Sequence, residues 1–254
     1  MSEDHKHRAR IFLHRGQLPQ ARAAYELAVE DDRQADDPRA LSDSLGNLGN
    51  ICALSGDLNH AETCYREVLM IQRTERNQHA IAHTLVNLGN LHIGADHPDK
   101  ARPYYLEALD LLRKLKDDRA LGILYNNLAL QEAREGQWEQ AVASFKQALD
   151  HHRIVGNEEG LAVTYSQLGK CFLDQGDLTQ AERCLNNASE HYIKLGNEPA
   201  EAAVLRLLAT LYDTRGDLIS ARRCLERVIS LDLRYKLSEL QTDSVHLAKL
   251  KQPV

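Results

Sequence analysis

Residues 45–69 read "LGNLGNICALSGDLNHAETCYREVL". Apolar residues recur at intervals of three and four on both sides of Ser55-Gly56-Asp57, which aligns them along one face of each of two helices. Gly56 supplies the positive φ that a tight turn demands, and Asp57 is a residue type that caps the helix after it. The stretch predicts a helical hairpin. Gly49, directly after Leu48, lets the first helix approach the second closely, and Ala61 does the same from the other side.

The hairpin recurs along the chain. Alanine stands at Ala21, Ala61, Ala101, Ala141, Ala181 and Ala221, a period of 40 with no insertion or deletion. Five residues before each lie Gly16, Gly56, Asp96, Gly136, Gly176 and Gly216, so only the third unit departs from glycine. Four residues after it come Tyr25, Tyr65, Tyr105, Phe145, Leu185 and Leu225. Upstream, Leu48, Leu88, Leu128, Leu168 and Leu208 are each followed by glycine or alanine. Gly156 and Gly196 are expected helix C-caps. A fixed period of this length is the signature of a repeat architecture in which each unit buries its apolar face only against its neighbours.

The leucine-glycine pair, alanine, aromatic and alanine, in that order, resemble the tetratricopeptide repeat (TPR). The resemblance covers residues 1 to about 231, and the 40-residue period is similar to the extended repeats of kinesin light chain and Pins-type proteins. It implies an all-α fold, an α-solenoid (right-handed superhelix) of six TPR hairpins over 1–231, followed by a C-terminal capping helix and tail over 232–254. The ends are atypical: Arg8 replaces the leucine in the first unit, and Lys249 falls where a small residue would dock a further hairpin.

Composition agrees with this reading. The chain has 254 residues, 43% hydrophobic, enough for a sizeable core, and few prolines. No uninterrupted apolar run nears the roughly 20 residues of a bilayer span. A net charge of −6 leaves no global basic footprint for nucleic acid. Five cysteines without C-x-x-C suggest reduced thiols, so a cytoplasmic protein is expected, with no membrane insertion and no nucleic-acid partner.

Similarity to TPR proteins implies that the first helices line a peptide-binding groove, at the residues one before and two after the leucine. These are Asn47, Asn87, Asn127, Gln167 and Leu207, and Asn50, Asn90, Leu130, Lys170 and Thr210. Asparagine both donates and accepts, so a ladder of amides suits capture of a peptide backbone. The competing reading is that these amides merely orient neighbouring helices. Lys6, His7, Arg10, His14, His83, Asn126, Arg134 and Arg206 are further groove positions, with Asp174 and Asp213 as the main acids. A neutral-to-basic groove favours a partner segment with Asp, Glu or a free carboxylate. A chaperone-type carboxylate clamp is not expected, because Ile123 and Asn127 occupy the places of its cations.

The sequence therefore predicts a non-catalytic protein–protein adaptor. The alternatives are a regulatory sensor domain of a larger signalling protein and a self-assembly module, so self-association stays open. No phosphate-binding loop, nucleophile elbow or H-E-x-x-H motif is present, and no cofactor, metal or enzymatic activity is expected. The His92, Asp96, His97 and Asp99 cluster resembles a metal set, but three of the four resolve into repeat slots, packing, turn and cap, and His97 and Asp99 are expected to face solvent. Arg215-Gly216-Asp217 falls on the same turn as Gly56-Asp57. The pair His151-His152 is expected on a solvated face near a helix C-terminus.

Overall fold

The computed structural model describes residues 1–250, and among them every regular element is a helix. The chain divides into two compact units, Met1–Ala120 and Leu121–Val254. The first holds α1 (Ser2–His14), α2 (Leu18–Gln34), α3 (Pro38–Leu54), α4 (Leu58–Thr74), α5 (Gln78–Gly94) and α6 (Pro98–Leu115). The second holds α7 (Asp118–Arg134, apart from its first turn), α8 (Trp138–Ile154), α9 (Glu158–Asp174) and α10 (Leu178–Leu195). It continues through α11 (Glu198–Arg215), α12 (Leu218–Tyr235) and α13 (Leu240–Leu250). Consecutive helices pack as hairpins: α1 on α2, α3 on α4 and α5 on α6 in one unit, α9 on α10 and α11 on α12 in the other.

The turns follow a 20-residue rhythm. A residue with positive φ stands at each junction from Gly16 to Lys236. Asp96, in the glycine slot, adopts φ 58°, as its residue type allows. Asp36 does the same, and Arg76, Lys116 and Lys236 take this left-handed conformation although nothing in their residue types announces it. Asp57, Asp177 and Asp217 accept the backbone N–H of His60, Gln180 and Ser220, capping α4, α10 and α12. Asn77, Asn157 and Asn197 cap α5, α9 and α11 in the same way. His97 makes no side-chain cap bond, and Pro98 begins α6.

Close approach within a hairpin depends on the small residue after the leucine. A Cβ on Gly89 would lie 2.3 Å from the Tyr105 ring, and one on Gly49 would lie 2.8 Å from Tyr65. In the other unit Leu185 covers Gly169, and Phe145 shares a core cluster with Ala129. The ring or branched chain four residues past the alanine thus fills the space the missing side chain leaves.

His152 corrects an expectation. It is 2% exposed rather than solvated, because its imidazole fits where Gly122 and Gly160 lack a Cβ; added atoms there would meet it at 2.5 to 2.6 Å. It occupies the repeat position of Asp32, Gln72, Tyr192 and Asp232, all buried. That position is core in every unit that fills it with these residues. His151, one residue earlier, stacks on Tyr125 with centroids 5.5 Å apart.

Candidate functional site

In the amino-terminal unit, α3 and α5 bring the amide residues together. A cavity of about 410 Å³ is lined by Asn50, Asn87 and Asn90 with Leu54, Leu58, Tyr65 and Leu91. Leu54 is 68% exposed, so the cavity offers apolar surface beside amides. The amides are already half engaged. Tyr65 Oη donates to Asn50 Oδ1 at 2.6 Å, and Tyr105 Oη donates to Asn90 Oδ1 at 2.6 Å. Asn47 Nδ2 donates to the Asp43 carbonyl one turn back, at 2.8 Å. The orienting role is thus present: Asn50 is engaged through its Oδ1 acceptor and Asn47 through its Nδ2 donor, and each amide has a second group besides. His83 is exposed on α5.

The predicted cations divide. Lys6 reaches Asp32 at 3.2 Å and Glu3 at 3.2 Å, so its charge is balanced internally, while Arg10 is exposed. In the carboxy-terminal unit, Arg206 is bound to Asp232 and, at 2.7 Å, to Asp243 of α13. Its guanidinium locks the last helix in place rather than facing a partner. Asn126 is buried at 8% exposure, with Oδ1 lacking a hydrogen-bond partner. Arg134, Lys170 and Thr210 are exposed, Asn127 and Gln167 half-buried. Thr210 Oγ1 donates to the Arg206 carbonyl at 3.0 Å.

The apparent metal set around His92 dissolves: His92 is buried and stacked on Tyr104, while His97 and Asp99 are exposed. A different trio, Cys52, Asp57 and His60, brings its ligand atoms within 4.8 Å of one another. Arg22 donates to Asp57 Oδ2 at 3.0 Å and lies 2.8 Å from His60 Nδ1. Its positive charge sits where a cation would have to go. The five cysteines are free and buried, and burial pushes their thiols up, that of Cys64 to about 12. Such thiols are poor nucleophiles. Gly216 and Asp217 form a turn and a cap, and Arg215 is held by Glu182.

The repeats match known sequence families. The MalT-like TPR region matches residues 5–150, and the tetratricopeptide repeat matches residues 120–192 and 160–234. The chain belongs to the tetratricopeptide repeat family. Its fold is the all-α solenoid of TPR hairpins, as in BtubC (BKLC) from P. vanneervenii, a structure of 21% identity and TM-score 0.78. That match covers 86% of this chain and 92% of BtubC. A signal transduction ATPase with a tetratricopeptide repeat sensor from Pyrococcus horikoshii aligns with TM-score 0.80 and 15% identity. There the match covers 95% of this chain but 37% of the larger protein. A Rap protein complexed with competence and sporulation factor aligns with TM-score 0.70 and 14% identity, over 97% of this chain and 74% of its own. No curated protein matches the sequence. No described helix is long and apolar enough to cross a membrane. A TPR array of this kind is typically an interaction or sensor module.

Proposed function

We propose that the chain is a non-catalytic TPR adaptor that holds a segment of a partner protein against its first-helix faces. The observation that carries this reading is the cavity between α3 and α5, where Asn50, Asn87 and Asn90 flank exposed apolar surface. Asn47 supplies an acceptor and Asn50 donors, the two groups an extended backbone needs from its binding site. Because Lys6 is balanced internally, recognition in the amino-terminal unit rests on amides more than on charge; in the carboxy-terminal unit Arg206 is balanced too, and Arg134 and Lys170 supply that unit's own preference for an acidic segment.

The sensor reading keeps one supporting observation, the similarity to the repeat sensor of the Pyrococcus horikoshii ATPase. In that case the same faces bind the signal. The test is a comparative pull-down with wild type and Asn47→Ala/Asn87→Ala, checked for an unchanged circular dichroism spectrum. Partners held through the faces are lost from the variant. Full retention of every captured partner by the folded variant would exclude the proposal.

A further inference from the structure

The second helices of the carboxy-terminal unit form a different surface. A valley of about 710 Å³ lies between α8 and α10, over α9. Val142, Leu149, Leu168 and Phe172 make its floor apolar, and Lys146, Arg153 and Arg183 line its walls. Arg153 is satisfied: it donates to Asp150 at 2.7 Å and to Tyr165 Oη at 2.6 Å. Lys146 and Arg183 are exposed and form no ion pair among the described residues.

The repeat supplies an internal comparison. Between α4 and α6, one repeat pair earlier, Arg66 and Arg73 occupy the positions of Lys146 and Arg153 beside the same leucine, Leu69 for Leu149. There both cations are neutralised, Arg66 by Glu62 at 2.7 Å and Arg73 by Glu107 at 2.7 Å. The counterparts of Glu62 and Glu107 are Val142 and Asn187, and the counterpart of Pro103 is Arg183. The valley between α8 and α10 therefore lacks those two carboxylates, and it has gained a cation, Arg183, and one acid, Asp150 in place of Met70, which pairs with Arg153. Nothing in the fold requires this, since the sister valley packs with its acids in place.

We propose that this valley docks an acidic segment of a partner protein. An aromatic or aliphatic side chain enters the apolar floor, and flanking Asp or Glu side chains pair with Lys146 and Arg183. From Val142 to Arg153 the α8 wall runs roughly 16 Å at 1.5 Å per residue, which suits a short stretch of chain better than a single ion. Charge supplied by both walls would set the orientation and selectivity of the segment, and apolar contact the residence time.

Amide chemical shifts of the full chain would be followed during titration with acetyl-Glu-Asp-Phe-Asp-Glu-amide, with the Lys-Lys-Phe-Lys-Lys peptide as control. The proposal expects saturable shifts at Val142, Phe172 and Asn187, and none with the control. Lys146→Glu/Arg183→Glu weakens binding at least tenfold, and Val142→Glu, which restores the carboxylate of the sister valley, does the same. Asn47→Ala/Asn87→Ala leaves this binding unchanged, so failure of the first-helix proposal and failure of this one are distinguishable. Unchanged affinity in the charge-reversed variant, no saturation at millimolar peptide, or binding of anionic phospholipid vesicles in place of the peptide would overturn it.

Discussion

Asn50 and Asn90 show how much a side chain's role depends on a residue fifteen positions later. Both accept a tyrosine hydroxyl, from Tyr65 and Tyr105. In the next unit the hydroxyl is gone at Phe145, and Leu130 stands where the asparagine was; Lys170 with Leu185 and Thr210 with Leu225 continue the pattern. From the second unit to the sixth, amide and hydroxyl come and go together, so they form one unit of structure there; the first unit differs, with Tyr25 opposite Arg10. Tyr65→Phe should cost about 1 kcal/mol, the net value of such a bond, and Asn50→Leu a similar amount. A double-mutant cycle should show them coupled, the pair costing clearly less than the sum; additive losses in urea denaturation would refute the coupling. The pairing was legible in the sequence by comparing units at two positions at once. It escapes when one column of the repeat is read at a time, and then the asparagines read as ligand contacts or as helix-orienting amides with no partner named.

His152 makes the same point for acidity. Burial, helped by neighbouring His151, lowers its pKa from the ordinary value of 6.5. The folded state thus prefers the neutral ring. The stability tied to that preference is fully present above the unfolded value near 6.5 and is lost as pH falls through the lower folded value. His152→Gln, the residue its position carries as Gln72, should flatten the loss of stability on the acid side; an unchanged pH profile of the urea midpoint would contradict this. His92, also buried with a lowered pKa, adds a parallel contribution in the other unit and remains in the variant.

At the scale of the elements, helix register was expressed by spacing, because apolar periodicity sets the buried face and the turn inside each hairpin marks where one helix ends and the next begins. The junctions after the second helices were only half visible. Gly156 and Gly196 announce them, whereas Asp36, Arg76 and Lys116 adopt φ between 52° and 56° because the geometry of the neighbouring helices imposes it. A left-handed residue with a Cβ costs about 1–2 kcal/mol, and glycine's extra unfolded-state entropy returns about 0.5–1 kcal/mol of that. The first exceeds the second, so Lys116→Gly should stabilise by roughly 0.5–1 kcal/mol. Asp96→Gly should gain less, since aspartate tolerates the conformation better. Calorimetric melting would show the rise for Lys116→Gly; a fall would mean that the strain is not there.

At the scale of the whole molecule, the first and the last of the six hairpins share a device that the four between them lack. Both ends use a buried acid at the same repeat position with a cation 26 residues earlier: Asp32 with Lys6, and Asp232 with Arg206. Arg206 also grips Asp243, Arg222 donates to the Leu250 carbonyl, and Leu250 joins the core beneath α13. Arg206 looked like a groove cation in the sequence because its acid partners are distant along the chain, one of them on the capping helix. Its removal has a predictable reach. Arg206→Met would leave Asp232, with no exposed surface, uncompensated, at a cost of about 3–5 kcal/mol. Because each hairpin contacts only its neighbours, that loss should stay local. Amide exchange in α11, α12 and α13 should accelerate on the order of a hundredfold or more, while α3 to α5 keep their protection. Arg206→Met/Asp232→Leu should recover most of the loss, since a matched apolar pair removes the stranded charge. Equal acceleration along the entire chain would instead mean that the array unfolds as one cooperative body and that the end tie supports all of it.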